Sequence, residues 1–126
     1  LKMEKKLQGD DIFIFDSVLP HSLIFEHFTA LLHHGGSGTT HSAARAGKPQ
    51  MVVPLIADQF YWGERTRLLG IGPGSISIKR ISYKQIESKI IDLVTNKIYA
   101  ENAMRLSKKI IAEDGVNNII TLIEKL

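Results

Sequence analysis

The sequence has no cysteine among its 126 residues. Disulfide bridges and thiolate metal ligands are therefore excluded, and a reducing compartment is permitted. Long apolar runs are also absent, since none approaches the roughly 18 residues of a membrane-spanning helix. No signal-peptide pattern is visible. Charge of one sign is weak, with a formal net charge of +3 and a sequence pI of 9.2. Aromatic residues make up only 7% of the chain. The basic residues Lys2, Lys5, Lys6, Lys79, Arg80, Lys108 and Lys109 are scattered without interleaved aromatics, which argues against a nucleic-acid platform. What remains is 44% hydrophobic and 23% charged, the balance of a globular domain with one core. The opening Leu1 to Leu7 reads as the tail of a helix entered midway, and we expect this chain to be part of a longer protein.

Short apolar runs alternate with helical patterns. Ile12 to Phe15 fits a buried strand. Ser22 is placed to cap a short helix, Leu23 to Phe28, and Ala30 to Leu32 is a second strand. A helix capped by Thr39 or Thr40 stops near Gly47-Lys48-Pro49. Gln50 to Val53 is a third strand closed by Pro54. Asp58 is a candidate N-cap for a helix running to about Leu69 and ended by Gly70. Gly74 to Ile78 alternates as a fourth strand. Ser82-Tyr83-Lys84-Gln85 is a capping box, with Ile86, Ile90, Leu93 and Val94 behind it at helical spacing. Met104, Ile110 and Ile111 lie in another helical stretch, and Ile119 to Ile123 serve a last helix. The expected class is α/β, a Rossmann-like parallel sheet flanked by helices, with no linker dividing it. Ligands of such sheets bind outside the carboxyl ends of the strands.

At one such end stands His33-His34-Gly35-Gly36-Ser37-Gly38-Thr39-Thr40. A Gly-rich turn between strand and helix leaves backbone N–H groups unpaired and convergent, which suits phosphate. The plainer alternative is a simple strand-to-helix connection. Three named motifs fit incompletely. Gly47-Lys48 is followed by Pro49 rather than Ser or Thr, Ser37 lacks a Gly two residues on, and Gly36-Ser37-Gly38 is followed by His41 where a dinucleotide fold has Gly. The five histidines His21, His27, His33, His34 and His41 lack a compact i, i+4 pair with a nearby carboxylate, so no metal is expected. His33 is expected to pack under the turn. Asp58-Gln59 stands at the end of the third strand. Asp58 is either only a helix cap or, with Gln59, an acceptor and donor for adjacent sugar hydroxyls. Phe60, Tyr61 and Trp62 follow, divided between core and pocket wall. A phosphate cradle beside a hydroxyl-binding pair suggests a nucleoside-diphosphate sugar.

These residues, with Arg45-Ala46-Gly47-Lys48-Pro49, Val53-Pro54, Trp62-Gly63-Glu64-Arg65 and Leu69-Gly70-Ile71-Gly72-Pro73, resemble the donor-binding domain of family-one UDP-glycosyltransferases. The sterol (lipid) glucosyltransferase branch is the nearest, and the resemblance runs from about Val18 onward. It implies the C-terminal half of a GT-B fold, with UDP-glucose as donor, no cofactor, and a lipid, sterol or other small hydroxylated acceptor glycosylated with inversion. It implies that His34, Gly36, Ser37, Gly38, Thr39 and Thr40 bind the diphosphate, with His34 supporting the leaving group. Asp58 and Gln59 would hold the sugar, and Val18, Leu19 and His21 would lie at the nucleoside. Plant-type members stack the base on a Trp where this chain has Val18, and place a ribose-binding Glu where it has Ser42. The resemblance puts the catalytic base in an N-terminal acceptor domain outside these residues, and implies a cytoplasmic location with peripheral membrane contact. Two rival readings are a non-catalytic nucleotide-sugar-binding module needing a partner chain and a dinucleotide-binding oxidoreductase fragment.

Overall fold

The computed structural model describes residues 18–125. The strand expected over Ile12 to Phe15 lies outside the described residues. Helix α1 spans His21–Ile24 and passes into a 3-10 turn, Phe25–His27. Strand β1 (Leu31–His33), helix α2 (Ser37–Arg45) and strand β2 (Gln50–Val52) form a βαβ unit. The strands pair in parallel, with Leu31 opposite Gln50 and His33 opposite Val52. Helix α3 (Gln59–Leu68) follows β2, and α4 (Tyr83–Thr95), α5 (Lys97–Ala112) and α6 (Gly115–Ile123) complete the described chain.

The elements form for local reasons. Residues Gln50, Met51 and Val52 are all fully buried, as expected for a strand covered on both faces. Helix α2 buries Thr40, Ala43 and Ala44, the i, i+3, i+4 stripe of a packed helix. Both α2 and α3 stop in the same way. Gly47 (φ 69°) and Gly70 (φ 62°) adopt left-handed backbone. The amides of Gly47 and Lys48 reach Ala44 and Ala43, while those of Gly70 and Ile71 reach Arg67 and Thr66. These are Schellman endings, which satisfy the last carbonyls of each helix. The capping box of α4 forms reciprocally, with the Gln85 amide donating to Ser82 Oγ and the Ser82 amide to Gln85 Oε1. The core gathers Met51, Ile76 and Leu93, with Ala30, Val53, Ile81 and Ile86 packed against it. Helix α5 braces the tail of α2, where the Ser107 hydroxyl donates to the Arg45 carbonyl at 2.6 Å. Helix α6 presents Val116, Ile119, Ile120, Leu122 and Ile123 as exposed side chains.

Three local expectations need correction. The segment Gly74 to Ile78 is not a strand: Gly74 turns left-handed (φ 77°), and a 3-10 turn begins at Ile78. Its alternation survives as burial alone, with Gly74 and Ile76 buried and Ser75 and Ile78 exposed. Lys89, not a neighbouring strand, takes the Pro73 and Gly74 carbonyls. Ser22 does not cap α1, which starts one residue earlier behind Pro20. Neither Thr39 nor Thr40 caps α2, because the N-cap is Gly36 and no side chain caps that end.

Candidate functional site

The carboxyl ends of β1 and β2 open onto one rim, where α2 and α3 both begin. Their amino ends stand side by side. A Cβ placed on Gly35 would lie 2.5 Å from Val52 Cγ1 and 3.1 Å from the Gln59 carbonyl oxygen. With φ at 93°, position 35 has both the backbone and the clearance that only glycine meets. The turn after β1 therefore rests directly on the start of α3.

The turn is held from below by a buried relay of hydrogen bonds. The Gly35 amide donates to His33 Nδ1 at 3.0 Å. That acceptance leaves the proton on Nε2, which bonds Gln50 Oε1 at 2.8 Å. Gln50 Nε2 donates in turn to the Thr40 carbonyl at 3.3 Å. Burial pushes the His33 imidazole below its ordinary pKa; the Gln50 bond opposes this, and the nearby His34 and His21 add to the lowering. His33 is thus a neutral prop under the turn.

Above the prop the backbone is open. The first helical bond of α2 runs from the Thr40 amide to the Gly36 carbonyl at 2.9 Å. The amides of Gly36, Ser37, Gly38 and Thr39 donate to no acceptor among the described residues. A Cβ on Gly36 would meet the His34 ring, with Nε2 at 2.8 Å, and one on Gly38 would meet nothing within 4 Å. The imidazole of His34 therefore lies over Gly36 at the mouth of the cradle. Aligned peptide dipoles place about half a positive charge at this helix end. Ser37 is exposed and Thr39 half-buried. Thr40 departs from the expectation, since its side chain is buried and its hydroxyl donates to the Gly36 carbonyl at 2.9 Å. That proton is committed within the protein.

Asp58 and Gln59 occupy the same rim, but their side chains are partly committed. Asp58 holds the N-cap position of α3 without capping it, forgoing an interaction worth about 1 kcal/mol. Its Oδ2 instead accepts from Trp62 Nε1 at 3.0 Å. Gln59 Oε1 accepts from the Leu55 and Ile56 amides at 2.7 and 3.0 Å, which closes the loop that carries Ala57 at φ 52°. The amide nitrogen of Gln59 and the Oδ1 of Asp58 are the atoms left for a ligand. The three nucleoside candidates lie before α2: Val18 is 98% exposed, Leu19 half-buried and His21 exposed. His21 stacks on Phe25 at 4.5 Å, and α1 packs against α2. Gln50, His41 and Trp62 make contacts at this rim that the sequence did not assign to them. A glutamine at the head of the apolar run Gln50 to Val53 is the signal the sequence holds. Among the described residues no group of three or more His, Asp or Glu gathers as a metal site.

The family described as erythromycin biosynthesis protein CIII-like, C-terminal domain, matches residues 9–126. This chain belongs to that family. Its curated relatives include a sterol 3-beta-glucosyltransferase of Arabidopsis thaliana, 36% identical over 107 residues, which cover 85% of this chain and 17% of that protein. The O-mycaminosyltylonolide 6-deoxyallosyltransferase of Streptomyces fradiae is 36% identical over 105 residues, 83% of this chain and 25% of that protein. The chain thus spans a quarter or less of the length of these two relatives. Among solved structures, spinosyn rhamnosyltransferase superposes with a TM-score of 0.82 at 26% identity, over 98% of this chain and 34% of that one. The same enzyme complexed with thymidine diphosphate gives 0.79. The CIII-like domain described here has the α/β architecture of the C-terminal part of GT-B glycosyltransferases.

Proposed function

We propose that this domain, residues 1–126, is the donor-binding part of a UDP-sugar-dependent glycosyltransferase, acting with an acceptor domain that supplies the catalytic base. The observation that carries the reading is the row of unbonded amides from Gly36 to Thr39 at the start of α2, under the His34 ring. The diphosphate sits on those amides, and the Ser37 and Thr39 hydroxyls add donors. Asp58 Oδ1 and Gln59 Nε2 take the sugar hydroxyls, and Val18, Leu19 and His21 flank the nucleoside. The donor is UDP-glucose and the acceptor a sterol, lipid or other small hydroxylated molecule; similarity to sterol glucosyltransferases supports both. The protein works in the cytoplasm, in peripheral contact with the membrane that holds a lipid acceptor.

The reaction is a displacement with inversion. The base of the acceptor domain removes the proton from the acceptor hydroxyl. That oxygen bonds to the anomeric carbon as the bond from this carbon to the β-phosphate oxygen breaks. The electron pair leaves with UDP, and the growing charge falls on the open amides, the helix dipole and His34. These donors are fixed before the reaction starts, because the His33–Gln50 relay and α5 hold α2 in place.

Titration calorimetry of the 126-residue chain with UDP-glucose, dTDP-glucose and NAD tests the reading. UDP-glucose binding is expected, with no turnover by this chain alone. Tight NAD binding without UDP binding would end the transferase reading, whereas transfer by the isolated chain would contradict the placing of the base. Replacement His34→Ala removes a donor to a charged group, and in the enzyme joined to its acceptor domain it should slow transfer by roughly 10- to 100-fold. It should weaken UDP binding much less, which separates leaving-group support from simple binding.

A further inference from the structure

Asp58 and Trp62 lie four residues apart at the start of α3, so their side chains share one helix face. The Asp58 carboxylate ignores the amides of its own helix and turns to the indole N–H, 3.0 Å from Oδ2. The indole is itself braced. His41 meets it edge-on with ring centroids 4.8 Å apart, and Tyr61 meets it at 5.0 Å. His41 is fixed by the bond from Nδ1 to the Ser37 carbonyl at 2.8 Å. A continuous path of contacts therefore runs from Ser37, in the anion cradle, through two aromatic rings to Asp58.

We infer that Trp62 is a positioning residue for the sugar site: its N–H pins Oδ2 of Asp58, turning Oδ1 toward the sugar and fixing that oxygen relative to the cradle through His41 and Ser37. An exposed carboxylate on a free rotor would sample several orientations and lose that freedom on binding. Pinning one oxygen removes the loss, and a charged acceptor with a neutral indole donor keeps its full charge for the second hydrogen bond. Nothing in this role touches the diphosphate, so its effect is confined to the sugar half of the ligand. The inference rests on the donor-site reading proposed above.

The test uses Trp62→Phe, which keeps an aromatic ring against His41 but removes the N–H. Calorimetry compares UDP-glucose with UDP on the 126-residue chain. Trp62→Phe should weaken UDP-glucose binding by roughly five- to tenfold and leave UDP within about twofold. Asp58→Ala should lower the same ratio, and adding Trp62→Phe to it should do nothing further, since the two act as one unit. An unchanged ratio in Trp62→Phe, or equal losses for UDP and UDP-glucose, would overturn the inference while leaving the donor reading intact. No binding of either nucleotide by the unaltered chain would overturn the donor reading and the inference with it. The pin has a signature of its own, because Trp62 is the only tryptophan. Its emission should change in Asp58→Ala, and an emission insensitive to that replacement would also overturn the inference.

Discussion

The two turns that leave the sheet do the same topological work with different atoms. The turn after β1 keeps its amides open: glycine at 35, 36 and 38 removes side chains, and Gly36 to Thr39 donate to no acceptor among the described residues. The turn after β2 ties down three of its amides and leaves those of Ala57, Asp58, Phe60 and Tyr61 without an acceptor among the described residues. Gln59 Oε1 takes the amides of Leu55 and Ile56, and the Gln59 amide returns to the Ile56 carbonyl at 3.2 Å. Both lie at the positive ends of helices and both leave amides open, but glycines strip side chains from the first, whereas the second adds a carboxylate held by Trp62 and a glutamine held by its own loop. A bare row of N–H groups suits a delocalised anion, whereas a loop bearing a pinned carboxylate suits neutral hydroxyls. Division of one rim into these two kinds of surface is what a ligand with a charged half and a neutral half requires.

The sharpest way to break the contrast is Gly35→Ala. Its Cβ would overlap Val52 and the left-handed backbone would be strained. We expect a loss of about 3 kcal/mol in urea unfolding, together with loss of UDP binding as the turn lifts off α3. A smaller effect comes from pH. In the fold His33 stays neutral, held below its ordinary value mainly by burial. The unfolded chain takes up that proton once the pH falls through about 6.5. The stability contributed by neutral His33 is therefore whole above that pH and is lost as the pH falls toward the folded value. Protonation also puts a hydrogen on Nδ1, which then cannot accept from Gly35. Unfolding free energy should fall as the pH drops below about 6.5, and His33→Gln should flatten that part of the slope. The mildest perturbation is Gln59→Ala, with an expected cost of about 1 kcal/mol for two exposed bonds. Hydrogen exchange reads it directly: Leu55 and Ile56 amides should lose protection in the variant. In the unaltered chain Gly36 to Thr39 should exchange fast, and UDP should slow that set alone.

What the sequence disclosed, and what it hid, follows the range of the forces involved. The capping box at Ser82, the helix stops at Gly47 and Gly70 and the place of the glycine turn depend on neighbours within a few residues, so they were legible. The strand expected at Gly74 to Ile78 has the right alternation, but pairing is a long-range event, and here Lys89 takes the carbonyls at its start. Range is not the whole account, since Thr40 looked like a phosphate donor, yet its hydroxyl donates to the Gly36 carbonyl only four residues back. Asp58 looked like a cap, yet the indole at position 62 outcompetes the helix amides for its carboxylate. Of the relay beneath the turn only His33 was anticipated, since its partner Gln50 lies 17 residues away and meets it only when β1 and β2 pair. Family resemblance named the candidate residues, but the commitments of individual atoms became visible only in three dimensions.

Helix α2 is fastened at its tail, where Ser107 holds the Arg45 carbonyl, and at its head, where Gln50 holds the Thr40 carbonyl. On the reading proposed above, a diphosphate would meet a helix already tied at both ends and would have little chain left to order. Its capture would then be set by encounter and orientation rather than by a folding step.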